Sequence, residues 1–188
     1  EKSMLAILLN QKKEANQLFF KYIKKNYRSL IHQGSEMTMS HNLLKNHLFP
    51  QIKKSDTTFL ILIDNLRLDQ WRIIKPLLDV YFSVEENSYL SILPTATQYA
   101  RNAIFSGMRP SEIKKKLPQF WLDDIEEGGK NMYEKELIID NLRSNNLSDN
   151  ISFNKVFNNE HGKKIVDRFN EFLKKPLNVI IYNFVDIL

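Results

Sequence analysis

The chain has 188 residues, enough for one domain or one domain with an arm, and its 43% hydrophobic and 26% charged residues exclude wholesale disorder. Five Gly and six Pro exclude a collagen-like or Pro-rich chain, and the absence of Cys removes disulfides, thiolate zinc sites and cysteine nucleophiles while suiting a reducing cytoplasm. The net charge of +5 is spread over short Lys pairs and the triplet Lys114 to Lys116, which reads as solvated helix faces that attract anionic substrates rather than as a nucleic-acid stripe.

Residues 1–32 contain no Gly or Pro and predict one long helix, with Leu5, Leu8, Ala15, Phe19 and Tyr22 on an alternating three–four spacing. That helix either packs on the domain or connects and dimerises. Gly34 and Ser35 end it. Ser40 is expected to cap a second helix, Asn42 to about Lys54, with Pro50 kinking it. The five apolar residues Phe59 to Ile63 are too few for a helix and predict a strand buried on both faces, ending at Asp64. A helix from Arg67 to Val80 follows, with Trp71, Ile74, Leu77 and Leu78 as its apolar face and Pro76 in its second half. Tyr81–Val84 and Tyr89–Leu93 read as two short strands.

Pro94-Thr95-Ala96-Thr97 is a sharp turn into a helix, Gln98 to Ser106, closed by Gly107. Pro110-Ser111 opens a short helix and Gly128-Gly129 marks a loop. Residues 131–145 read as helix, 144–150 as loop, and Ile151–Phe157 as ambiguous. Lys163–Leu173 is helical up to Pro176, and Leu177–Val185 is a second buried strand ending at Asp186. No apolar run approaches the roughly 18 residues of a membrane span. Strand–helix alternation predicts an α/β fold with a mostly parallel sheet flanked by helices.

In such sheets ligands bind beyond the carboxyl ends of the strands, where Asp64 and Asp186 stand. Each could bind a cation or cap the next helix. Thr97 opens a helix whose outward N–H groups favour an anion; its hydroxyl could cap that helix or attack phosphorus. The acidic run Asp123-Asp124 and Glu126-Glu127 reads as a solvated helix end. Of the four His, His32 and His47 lie in helical segments, His41 begins one, and His161 precedes Gly162 in a polar turn; all read as surface or capping residues.

Three segments carry a resemblance. Phe59-Leu-Ile-Leu-Ile-Asp64-Asn-Leu-Arg67-Leu-Asp69-Gln-Trp71 resembles the first metal-binding strand of the PglZ domain, a branch of the alkaline phosphatase superfamily. Pro94-Thr-Ala-Thr97-Gln-Tyr-Ala-Arg101-Asn102 resembles its nucleophile turn, and Asn178 to Asp186 its next metal strand. With Ser40-His41-Asn42 and Glu127-Gly-Gly-Lys-Asn131, the wording is similar to a response regulator of the type IX secretion system of Bacteroidetes. The resemblance implies an alkaline-phosphatase-like fold and a two-zinc site, with Asp64 on one Zn²⁺, Asp186 on the other and Thr97 between them as nucleophile. It also implies phosphodiesterase action on oligonucleotides, through a phospho-threonine. Arg101, one helical turn from Thr97, or Asn102 would contact a phosphate oxygen.

On this reading residues 1–50 are the helical connecting segment and 51–188 the N-terminal part of the PglZ domain. The family's further His ligands fall beyond Leu188, and the chain begins with Glu, so it is expected to be a piece that binds zinc weakly and is inactive alone. Self-association, including a homodimer, is expected. The alternative is a non-catalytic module of the same cytoplasmic regulator that binds a sigma factor or a secretion-motor component.

Overall fold

Three six-residue runs rich in β-branched and aromatic side chains form strands in a computed structural model that describes residues 2–32, 37–122 and 131–183. They are β1 (Thr58–Ile63), β2 (Ile151–Val156) and β3 (Leu177–Tyr182). β3 lies between the other two and is parallel to both, with Val179 opposite Leu60 on one side and Phe153 on the other. The ambiguous run after residue 150 is therefore a strand. Both long crossovers are helical, as parallel pairing requires.

Side chains alternate across a strand, so Leu60, Leu62, Phe153, Val179 and Ile181 share one face. Helices α4 (Thr97–Ser106) and α6 (Glu134–Ser144) cover that face with Ile104, Phe105, Leu137, Ile138 and Leu142, joined by Leu44, Leu48 and Phe49 of the 44–52 segment. Phe105, Leu137, Ile138, Val179 and Ile181 are fully buried. Each contributes about 1.5–3 kcal/mol relative to exposure.

The other face is only partly covered. α7 (Asn159–Asp167) and α8 (Phe169–Phe172) bring Phe169 into a parallel stack on Phe59, ring centres 5.5 Å apart, and Ile180 is buried. Ile61 and Ile63 stay 54% and 37% exposed. Burial on both faces thus holds for β3 and fails for β1, which pairs only with β3 among the described residues.

Other expectations are corrected by local physics. The segment expected as one helix from Asn42 is a 3₁₀ turn (Ser40–Asn42), a widened π-type turn (Leu44–Leu48) and α2 (Phe49–Ile52). Pro50 has no N–H to donate and its ring crowds the carbonyl four residues back, so the turn before it opens out. Ser40 caps nothing; its hydroxyl accepts the Ile92 backbone N–H at 3.0 Å. Tyr81–Val84 and Tyr89–Leu93 are not strands: only Leu90 bridges, to Met39. α3 (Leu68–Leu78) forms where expected, yet none of its residues is buried and Leu77 is 68% exposed. The helix expected over 163–173 divides at Arg168 into α7 and α8. α5 (Pro110–Lys116) follows Arg109 as expected.

The first helix, α1 (Lys2–Leu30), matches its expectation in extent. It docks through its last turns, where Ile23, Asn26, Tyr27 and Leu30 share one face and are half-buried. The Tyr27 hydroxyl accepts the Leu93 N–H at 2.6 Å. Leu5, Leu8, Phe19 and Tyr22, the stripe read from the sequence, are exposed. No helix among the described residues is long and apolar enough to cross a membrane. Gly34, Ser35, the 123–129 acidic and glycine segment and the end of the last predicted strand lie outside the described residues.

Candidate functional site

The strand alternation that builds the core continues past the last apolar residues and turns polar. After Leu60 and Leu62 the same face carries Asp64; after Val179 and Ile181 it carries Asn183; after Phe153 it carries Lys155. The backbone ladder extends with them, Asp64 N–H to the Tyr182 carbonyl and Asn183 N–H to the Val156 carbonyl, both at 3.0 Å. β1 then turns sharply at Asn65, whose φ of 59° is the left-handed conformation that Asn tolerates better than most residues. Three polar side chains therefore meet at the carboxyl edge of a parallel sheet.

α4 lies across that edge. It starts at Thr97 with no side-chain cap, Ala96 being the N-cap, and ends at Gly107 in the left-handed region, φ 66°. Thr97 and Arg101 share a face. Thr97 is half-buried, and among the described residues its hydroxyl has no hydrogen-bond partner. Arg101 is only 6% exposed, because the apolar surface of α4 has to turn inward and carries the guanidinium with it.

A buried guanidinium needs carboxylates, and two supply them. Arg101 Nη1 donates to Asp64 Oδ2 and to Asn183 Oδ1, each at 3.0 Å. Nη2 donates to Glu134 Oε2 at 3.0 Å. Nε lies 2.7 Å from Glu134 Oε1, an ion contact too bent to be a hydrogen bond. Glu134 is wholly buried at the first residue of α6, where the helix N-terminus favours a negative charge. It also faces Lys155 Nζ at 2.7 Å, and that ammonium donates to the Asn131 carbonyl at 2.9 Å. Two cations and two carboxylates balance to zero.

Asp64 and Arg101, singled out separately from the sequence, are thus bonded to each other. Asn102, the alternative to Arg101, is also buried, one residue round the helix. Asp186 lies outside the described residues. Glu134, Lys155 and Asn183 were missed. Glu134 looks no different from Glu136 in the sequence, whereas Lys155 and Asn183 become visible once strand register is known.

Zinc takes three or four protein ligands, of His, Cys or carboxylate type. Among the described residues no group of three or more such side chains converges. The one candidate carboxylate, Asp64, already accepts from Arg101. The described donors therefore do not fit a two-zinc centre. The histidines are engaged elsewhere: His32 on the Arg28 carbonyl, His47 near Thr38, and His161 edge-on to Phe157. His41 is half-buried, and burial together with nearby Arg109 pushes its pKa below the usual value.

Residues 1–31 match the PorX response regulator linker domain. A search of curated proteins finds no match. A response-regulator linker followed by an alkaline phosphatase-like domain is the arrangement of a response-regulator output domain, and alkaline phosphatase-like domains are in general metal-dependent. Over residues 43–188 the match is to the BREX system PglZ alkaline phosphatase-like domain, and the chain belongs to that family.

Proposed function

We propose that this output domain hydrolyses phosphoesters with Thr97 as nucleophile, oligonucleotide phosphodiesters being the substrate class. The observation that carries the reading is the Thr97 hydroxyl, without a hydrogen-bond partner among the described residues, at the start of α4 and on the same face as Arg101, beside the carboxyl edge of a parallel sheet. Outward N–H groups of that helix start stabilise phosphate oxygens. The Thr97 oxygen attacks phosphorus, one ester oxygen leaves and takes up the threonine proton by way of water, and a second water later cleaves the nucleotidyl-threonine. Asn102, or Arg101 through its remaining Nη2 hydrogen, contacts the phosphate. Two Zn²⁺ ions, with Asp64, Asp186 and Thr97 among their ligands, belong to the same proposal.

Thr97→Val in the intact response regulator tests the reading. Hydrolysis of an oligonucleotide should disappear while the circular dichroism spectrum is unchanged, and the nucleotidyl group trapped on the Thr97 peptide of the unaltered protein should be absent from the variant's mass spectrum. Hydrolysis that persists in the variant refutes it.

A second reading, a regulatory module that binds a second copy, a sigma factor or a secretion-motor component, draws on α1. Met4, Ile7, Leu9, Leu18 and Phe20 join the exposed stripe on that helix, leaving it apolar on several sides. Partner affinity unchanged by Thr97→Val, together with absent hydrolysis in the unaltered protein, favours this reading.

A further inference from the structure

The carboxylate assigned to cation binding already has a cation. We infer that the Arg101 guanidinium, clamped by Glu134, is the resident counter-ion of Asp64, and that a divalent metal reaches Asp64 only by displacing it. The inference rests on the reading of Asp64 as a metal-binding carboxylate.

The geometry makes the arginine hard to move. Both Nη1 hydrogens are engaged, on Asp64 and Asn183, and Glu134 faces the opposite edge of the guanidinium through Nε and Nη2. Arg101 comes from the second turn of α4, and its side chain is 8% exposed. Asp64 is the member of the pair that faces water, with 28% of its side chain exposed. A metal approaching from solvent meets one face of the carboxylate and, just behind it, a fixed positive charge. Repulsion between that charge and a divalent ion adds to the competition for Oδ2. Glu134 is a positioning residue here: wholly buried, it acts by holding Arg101 in place.

The charge balance supplies a clean test. In Arg101→Gln, Glu134 keeps Lys155 at 2.7 Å and Asp64 keeps its exposure to water, so no buried charge is left without a partner. Zinc chloride is titrated calorimetrically into the chain, its Asp64→Asn variant, Arg101→Gln and the Arg101→Gln/Asp64→Asn double variant. Zinc affinity in Arg101→Gln should rise on the order of ten-fold or more, and the gain should vanish in the double variant. Arg101→Lys keeps the charge but not the fork and should fall between, which covers failure of the Gln variant to fold. Circular dichroism checks each fold. An Asp64-dependent affinity that is unchanged or weakened by both Arg101 substitutions overturns the inference and leaves the reading of Asp64 standing. Zinc binding that ignores Asp64→Asn in every background overturns that reading, and the inference with it.

Discussion

Glu134→Gln is the most informative perturbation of stability, because the carboxylate is wholly buried between two cations and the amide is nearly the same size. The substitution removes the charge and turns one acceptor oxygen into a donor N–H group. Arg101 and Lys155 are then left with Asp64 as the sole carboxylate of the cluster, and Lys155 loses a partner at 2.7 Å. Removing one member of a buried ion pair costs about 3–5 kcal/mol, chiefly through the charge left behind. For a chain of this size that lowers the melting temperature by roughly 10 °C. Lys155→Met alone should cost less, about 1–2 kcal/mol, because Glu134 still has Arg101. The double variant deletes one charge of each sign and should be less destabilised than the sum of the two by at least about 1 kcal/mol. Urea unfolding of the four proteins, followed by circular dichroism, reads all three quantities. Additivity within about 0.5 kcal/mol would show that Lys155 and Glu134 do not share one network, and the account of the site would fail at its centre.

Gly107→Ala should cost about 2–4 kcal/mol in the same assay: its φ of 66° strains any L residue by about 1–2 kcal/mol, and the added carbon would sit 2.8 Å from the Asn141 amide that donates to the Phe105 carbonyl. If Gly107→Ala and Asn141→Ala each destabilise but their costs simply add, the close approach is not the cause. Glu112 is held down to about 2 by the Arg109 guanidinium, so its contribution is complete above the unfolded value near 4.5 and is lost as pH falls through about 2. Glu112→Gln should therefore cost about 1 kcal/mol at neutral pH, and the difference from the unaltered protein should shrink between pH 4.5 and about 2; a gap of constant size in urea melts across that range contradicts the assignment.

What was legible in the sequence follows from how locally each feature is determined. β1 announces itself because five consecutive apolar residues admit few other solutions, β3 because the β-branched run Val179 to Ile181 follows a helix stopped at Pro176, and α4 because a Pro turn and Gly107 bracket it. The two-faced burial expected of β1 failed for a non-local reason: it depends on what lies beside the strand, and Ile61 and Ile63 carry no mark of that. Trp71, Ile74, Leu77 and Leu78 have the spacing of a core-facing stripe, yet Trp71 and Leu78 are only half-buried and Ile74 and Leu77 stay exposed, since periodicity reports which face is apolar and not whether anything packs on it. The break at Arg168 and the wide turn before Pro50 are settled by packing and ring sterics within one turn, below the resolution of a pattern.

The site shows the same division in sharper form. Asp64, Thr97 and Arg101 could be picked out because each stands at a marked place, a strand end or a helix start. Their mutual relation could not. Thr97 and Arg101 are fixed to one face by helix geometry alone, but Arg101 meets Asp64 only because Asp64 stands one residue past the end of β1, level with Asn183 one residue past the end of β3. Glu134 enters through a third element, 33 residues away from Arg101 in the chain. A residue chosen as a phosphate contact and another chosen as a metal ligand thus turn out to neutralise each other, and the charge that decides which of them a ligand can reach belongs to Glu134. Reading function from such a site therefore begins with its charge balance: an anion must find a donor that Asp64, Asn183 and Glu134 have left over, and a cation must first take Asp64 from Arg101.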